Sequence, residues 1–71
     1  MGGGLLDYAG IRQRLVDARG KKSQTEVAKD LGISVSSLSM YESCERIPRD
    51  EVKEQLAKYY GVTVGFLFFG E

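Results

Sequence analysis

Seventy-one residues with ten basic and ten acidic side chains make one small domain of zero net charge. A single cysteine excludes an intrachain disulfide, and the lack of histidine excludes a Cys/His zinc site. No apolar run approaches the roughly 20 residues of a membrane-spanning helix, and no basic n-region of a signal peptide is read at the start. A reducing, cytoplasmic setting is therefore the expectation.

Met1-Gly2-Gly3-Gly4 opens a segment, residues 1–6, that reads as a flexible extension, with a cloning remnant as the favoured origin. Gly2 fits a myristoylation signal, but Leu6 stands where Ser or Thr is required. The folded domain is expected over residues 7–71. Asp7 caps a first helix to about Arg19, with an apolar stripe of Tyr8, Ile11, Leu15 and Ala18. Gly20 ends it, and Lys21 and Lys22 form a short exposed turn.

Ser23 to Glu42 is the most informative stretch. Ser23 with Glu26 three residues later is a capping box. Val27, Ala28 and Leu31 share one face of the second helix. Gly32 stops that helix, Ile33 plugs the turn, and Ser34 caps a third helix from Val35 to about Ser43. Leu38 and Tyr41 give its apolar face. Helix, three-residue turn, helix is the spacing of a unit that places its second helix in the major groove of DNA.

Cys44 to Pro48 is a loop, extended at Ile47 by the following proline. A fourth helix starts near Arg49 or Asp50, with Asp50 and Glu51 at its positive dipole end. Val52, Leu56 and Tyr59 or Tyr60 face inward, and Gly61 ends it. Val62 is expected as a buried connector. Thr63 caps a short fifth helix, Val64 to Phe69; Gly65 interrupts the strand-like VTVGFLFF pattern.

Charge is uneven along the chain: residues 1–29 carry six basic and three acidic side chains, residues 30–71 four and seven. The basic cluster holds Arg12, Arg14, Arg19, Lys21, Lys22 and Lys29. Of these, Arg12, Arg14, Lys21 and Lys22 are candidates for attracting a polyanion.

From about Asp7 to Phe69 the chain resembles the Cro/CI-type, lambda-repressor-like helix-turn-helix family. The resemblance rests on Arg14-Leu15, the block Ser23 to Ala28, the turn Gly32-Ile33-Ser34, Ser37-Leu38-Ser39, Tyr41-Glu42, Arg46, Pro48, Leu56-Ala57 and Gly61-Val62. It implies an all-α, compact bundle of four to five helices that binds double-stranded DNA, commonly as a homodimer. It also implies roles for single residues. Gln24 and Ser37 would contact phosphate, as would Arg46 and Arg49 in the loop after the third helix. Val35, Ser36 and Met40 would face base edges, with Ser39 beside them. Glu42 would be structural, with Arg14 its natural partner; a salt bridge from Arg46 to Glu42 or Glu45 is the competing use of that arginine.

Two features depart from the family pattern. Cys44 stands where glycine usually ends the third helix in a left-handed conformation, so either Cys44 is strained or the loop takes another path. The run Phe66-Leu67-Phe68-Phe69 is more apolar than one short helix buries. Core packing takes about two of the four, and Phe66, Phe68 and Phe69 are the candidates for a homodimer contact.

The third helix holds no Arg, Lys, Asn or Gln, so the strong bidentate readers of purines are missing. Serine hydroxyls remain, with Val35 and Met40 able to touch thymine methyls. The leading reading is thus a DNA-binding transcriptional regulator, a small repressor of phage, mobile-element or bacterial type. The alternative is a helix-turn-helix module used for protein–protein interaction, such as an antitoxin or part of a larger regulator. An enzyme is not expected. There is no nucleophile–base pair, and the glycines at 2–4 lack the GK[ST] of a phosphate loop. No cofactor, metal, membrane or small-molecule substrate is expected either.

Overall fold

The computed structural model describes residues 7–71. The N-terminal extension expected over residues 1–6 lies outside them. Five helices follow one another: α1 (Tyr8–Arg19), α2 (Gln24–Leu31), α3 (Val35–Glu42), α4 (Asp50–Tyr60) and α5 (Val64–Phe69).

Local chemistry sets their ends. Asp7, Ser23, Ser34 and Thr63 each accept a hydrogen bond from the backbone N–H three residues on, at 3.1, 3.1, 3.0 and 2.9 Å. These bonds satisfy donors that a helix start leaves open. Only α4 begins without a side-chain cap, and it carries Asp50 and Glu51 in its first turn instead. Helix α2 ends in a Schellman motif: Ile33 N–H donates to Ala28 O at 3.0 Å and Gly32 N–H to Lys29 O at 3.2 Å.

The end of α3 has the same form without a glycine. Glu45 N–H donates to Met40 O at 3.0 Å and Cys44 N–H to Tyr41 O at 3.2 Å. This places Cys44 at φ 60°, so the strained path is the one taken. A left-handed residue with a Cβ costs about 1–2 kcal/mol.

The core draws on every helix: Ile11 and Leu15, Val27 and Ala28, Leu38, Leu56 and Ala57, Leu67 and Phe68. Helices α2 and α3 pack on each other, α1 packs on α3 and α5, and α4 packs on α2 and α5. Thus α5 closes the bundle between α1 and α4, and the α2–α3 pair is left with one face open. Three expectations shift. Tyr8, at the exposed end of the α1 stripe, leaves Ile11 and Leu15 as that helix's buried residues. Val62 is half-buried. Phe68 is 1% exposed and belongs to the core, so it is not a dimer contact. At 100° per residue Leu67 and Phe68 share the inward side of α5. Phe66 and Phe69, 40% and 56% exposed, fall on the outward side.

Candidate nucleic-acid interface

Helix α3 is held from behind by a buried carboxylate. Glu42, at the end of α3, is 6% exposed. Arg19 Nε donates to its Oε2 at 2.8 Å and Arg19 Nη2 to its Oε1 at 3.1 Å. Gln24 Nε2 donates to the same Oε1 at 2.8 Å. Arg19 Nη1 also donates to Lys22 O at 2.8 Å. One carboxylate therefore joins α1, α2 and α3 through charge-assisted bonds of the strong, two-pronged kind. The hydrogen bond to Glu42 raises the Arg19 pKa, against burial, which lowers it.

This corrects the partner expected for Glu42. Arg14 lies five residues before Arg19, about 140° round the helix, and so faces elsewhere. Its Nε donates to Leu67 O at 3.1 Å, tying α1 to α5. Arg14 is thereby engaged at the α5 end of the bundle rather than at Glu42. Nothing local in the sequence pairs Arg19 with Glu42; only the phase of α1 against α3 does. Behind the network, Tyr60 has its hydroxyl buried without a hydrogen-bond partner among the described residues. Burial, reinforced by the Glu42 charge, pushes its pKa up to about 12.

The outer side of α3 carries the candidate readers. Val35 is 40% exposed, Ser36 and Ser39 are exposed, and Met40 is half-buried. A polar groove runs along each flank. On one side a groove of about 420 Å³ lies between α1 and α3, lined by Arg12, Gln13, Gln24, Ser39 and Ser43 among others. On the other, a cleft of about 390 Å³ collects Ser37, Tyr41, Arg46 and Arg49, with Glu51 beside them. The residues expected at phosphates thus fall into two groups, one on each side of α3.

Gln24 keeps capacity for such a contact. One amide hydrogen goes to Glu42, the second remains, and the first N–H groups of α2 open at the same place. Arg46 and Arg49 are exposed and form no salt bridge among the described residues. Glu42 is occupied by Arg19 and Gln24, so the competing Arg46 pairing with it is not made. Lys22 is drawn away instead. Its Nζ donates to Tyr59 Oη at 2.9 Å, and Tyr59 Oη donates to Asp30 Oδ2 at 2.6 Å. Lys21 stays exposed. Gln13 and Ser43, at the groove beside Gln24, have no motif that marks them in the sequence.

A capped helix pair joined by a glycine turn, its second helix braced from behind by Glu42, defines a helix-turn-helix bundle. The Helix-turn-helix family model matches residues 11–67. The chain therefore belongs to the Cro/CI-type helix-turn-helix family, whose domains are those of DNA-binding regulators. It has no significant match among curated proteins or solved structures. No helix of the described residues is long and apolar enough to cross a membrane.

Proposed function

We propose that the chain is a sequence-specific transcriptional regulator that binds double-stranded DNA as a homodimer. Helix α3 lies in the major groove, and the exposed Phe66 and Phe69 contribute to the dimer contact. Two copies of α3 enter successive grooves about 34 Å apart. The bound dimer represses by occluding polymerase, in the cytoplasm of a bacterial or phage-infected cell. What supports this reading is the division of polar and basic side chains into two grooves flanking α3, since the two phosphate backbones border the major groove on both sides. Gln24, Arg12, Arg46 and Arg49 hold the backbones, and Val35, Ser36, Ser39 and Met40 face the bases.

A mobility-shift series on several duplexes tests it. Arg46→Ala weakens binding on all sequences alike, because phosphate contacts carry no sequence information. Ser36→Ala and Met40→Ala change the order of preference between sequences. Identical behaviour of the two sets contradicts the placement of α3. A second reading is favoured by the zero net charge and the exposed Val35. In it, the same face docks a protein, as in an antitoxin or a larger regulator, and no duplex shifts even at low salt.

A further inference from the structure

The four tyrosines of the chain end in four different settings. Tyr8 is exposed at the start of α1. Tyr59 Oη is taken by Lys22 and Asp30, and Tyr60 Oη is buried. Tyr41, expected on the apolar face of α3, is half-buried and lines the cleft that collects Ser37, Arg46 and Arg49. Helical phase accounts for this. Tyr41 lies about 40° round α3 from Ser37 and about 60° from the buried Leu38, between the cleft side and the core side. A phenol so placed keeps its ring against the bundle and its polar tip in water. Among the described residues Tyr41 Oη forms no hydrogen bond, and it is not one of the buried unpartnered atoms. Its hydroxyl is a donor open to an acceptor from outside the chain.

The rest of the cleft defines that acceptor. Ser34 Oγ donates to Ser37 Oγ at 2.9 Å, so the Ser37 hydroxyl keeps its own hydrogen for the cleft. Arg46 and Arg49 are exposed and cationic, and Ile47 and Val52 supply apolar lining. Glu51 lines the same cleft and offsets part of that positive charge. Two cations and two neutral hydroxyl donors around one opening suit an oxyanion. We infer that Tyr41 is a neutral ligand of the DNA backbone, its hydroxyl donating to a phosphate oxygen that Arg46 neutralises. This rests on the DNA-binding reading above. Tyr41 adds affinity without releasing a counterion, whereas Arg46 adds affinity by releasing one.

The test compares Tyr41→Phe with the parent protein on a duplex enriched from a random pool and on an unrelated duplex. Affinity is read by fluorescence anisotropy over a range of salt concentrations. Phenylalanine keeps the ring and removes only the hydroxyl, so the thermal unfolding midpoint stays that of the parent. Affinity falls about fivefold per protomer on both duplexes, and the log–log salt slope is unchanged. Arg46→Ala, by contrast, lowers affinity and slope together. Unchanged affinity in Tyr41→Phe overturns the inference alone, since the parent protein still binds. A loss confined to one duplex puts Tyr41 at a base, and a lowered unfolding midpoint makes its role structural; either result overturns the backbone contact. Absence of binding to any duplex by the parent overturns the DNA-binding reading itself.

Discussion

The two faces of α3 are built on opposite principles. Its inner face is closed: Leu38 is fully buried and Glu42 accepts three hydrogen bonds from two other helices. Its outer face is sparse, with the hydroxyls of Ser36 and Ser39 beside Met40, while Val35 stands exposed at the N-terminal end. The inner face fixes where the helix sits, and under the proposed function the outer face decides what the helix selects. One eight-residue helix can therefore tolerate change on one side and very little on the other.

The same contrast within α5 gives the largest expected effect. Phe68→Ala empties a fully enclosed site and lowers unfolding free energy by about 3–5 kcal/mol in urea titration. Phe69→Ala, one residue on, leaves stability within about 0.5 kcal/mol, and under the proposed dimer contact it shifts the sedimentation equilibrium toward monomer. Equal destabilisation by the two would break the assignment of inner and outer sides.

Next is Glu42→Ala. It leaves the Arg19 guanidinium and the Gln24 amide without their acceptor at a buried site, and costs about 3 kcal/mol. Ser36→Ala on the opposite face costs less than about 0.5 kcal/mol by the same titration.

Alkaline titration sharpens the inner face further. The Tyr60 pKa is raised by burial from 10.0 to about 12 in the folded state. The folded protein therefore holds this proton when the unfolded chain has lost it, and stability falls as pH rises from about 10 to about 12. Tyr60→Phe removes that part of the alkaline loss, as read from unfolding midpoints across the range. The hydrogen bond to Glu42 raises the Arg19 pKa further above its already high ordinary value, so the Arg19–Glu42 pair loses nothing to deprotonation of Arg19 through the neutral range.

The smallest effect is at the helix end. Cys44→Gly relieves about 1–2 kcal/mol of left-handed strain. It also frees the unfolded chain by about 0.4–1 kcal/mol and removes the half-buried thiol from its place near Tyr8 O, at 3.6 Å. A net gain below about 1 kcal/mol in thermal unfolding is expected.

Features that depend on neighbours in the chain could be read in advance. The caps at Asp7, Ser23, Ser34 and Thr63 were readable because a side chain and an N–H three residues on suffice. The glycine stops at Gly32 and Gly61 follow from backbone conformation alone, whereas at Cys44 the sequence leaves strain or another loop path open and the structure takes the strained one. The Arg19–Glu42 pair was not readable. It joins residues 23 apart, and the choice of Arg19 over Arg14 depends on the rotational phase of α1. Phe68 was misplaced for a related reason. A six-residue helix with four consecutive apolar residues has no periodicity to show which of them faces inward. The two grooves beside α3 needed the assembled bundle, since one combines α1 with α3 and the other α3 with the loop before α4.

The salt dependence of binding decides whether α3 and its flanking grooves hold duplex DNA. Affinity for a duplex is measured by fluorescence anisotropy over a range of salt concentrations. Arg12, Arg46 and Arg49 from each protomer of a dimer predict a log–log slope of about −5, falling in magnitude by about 2 for Arg46→Ala. A slope near zero, or a slope that Arg46→Ala leaves unchanged, would show that these grooves do not hold the DNA backbones.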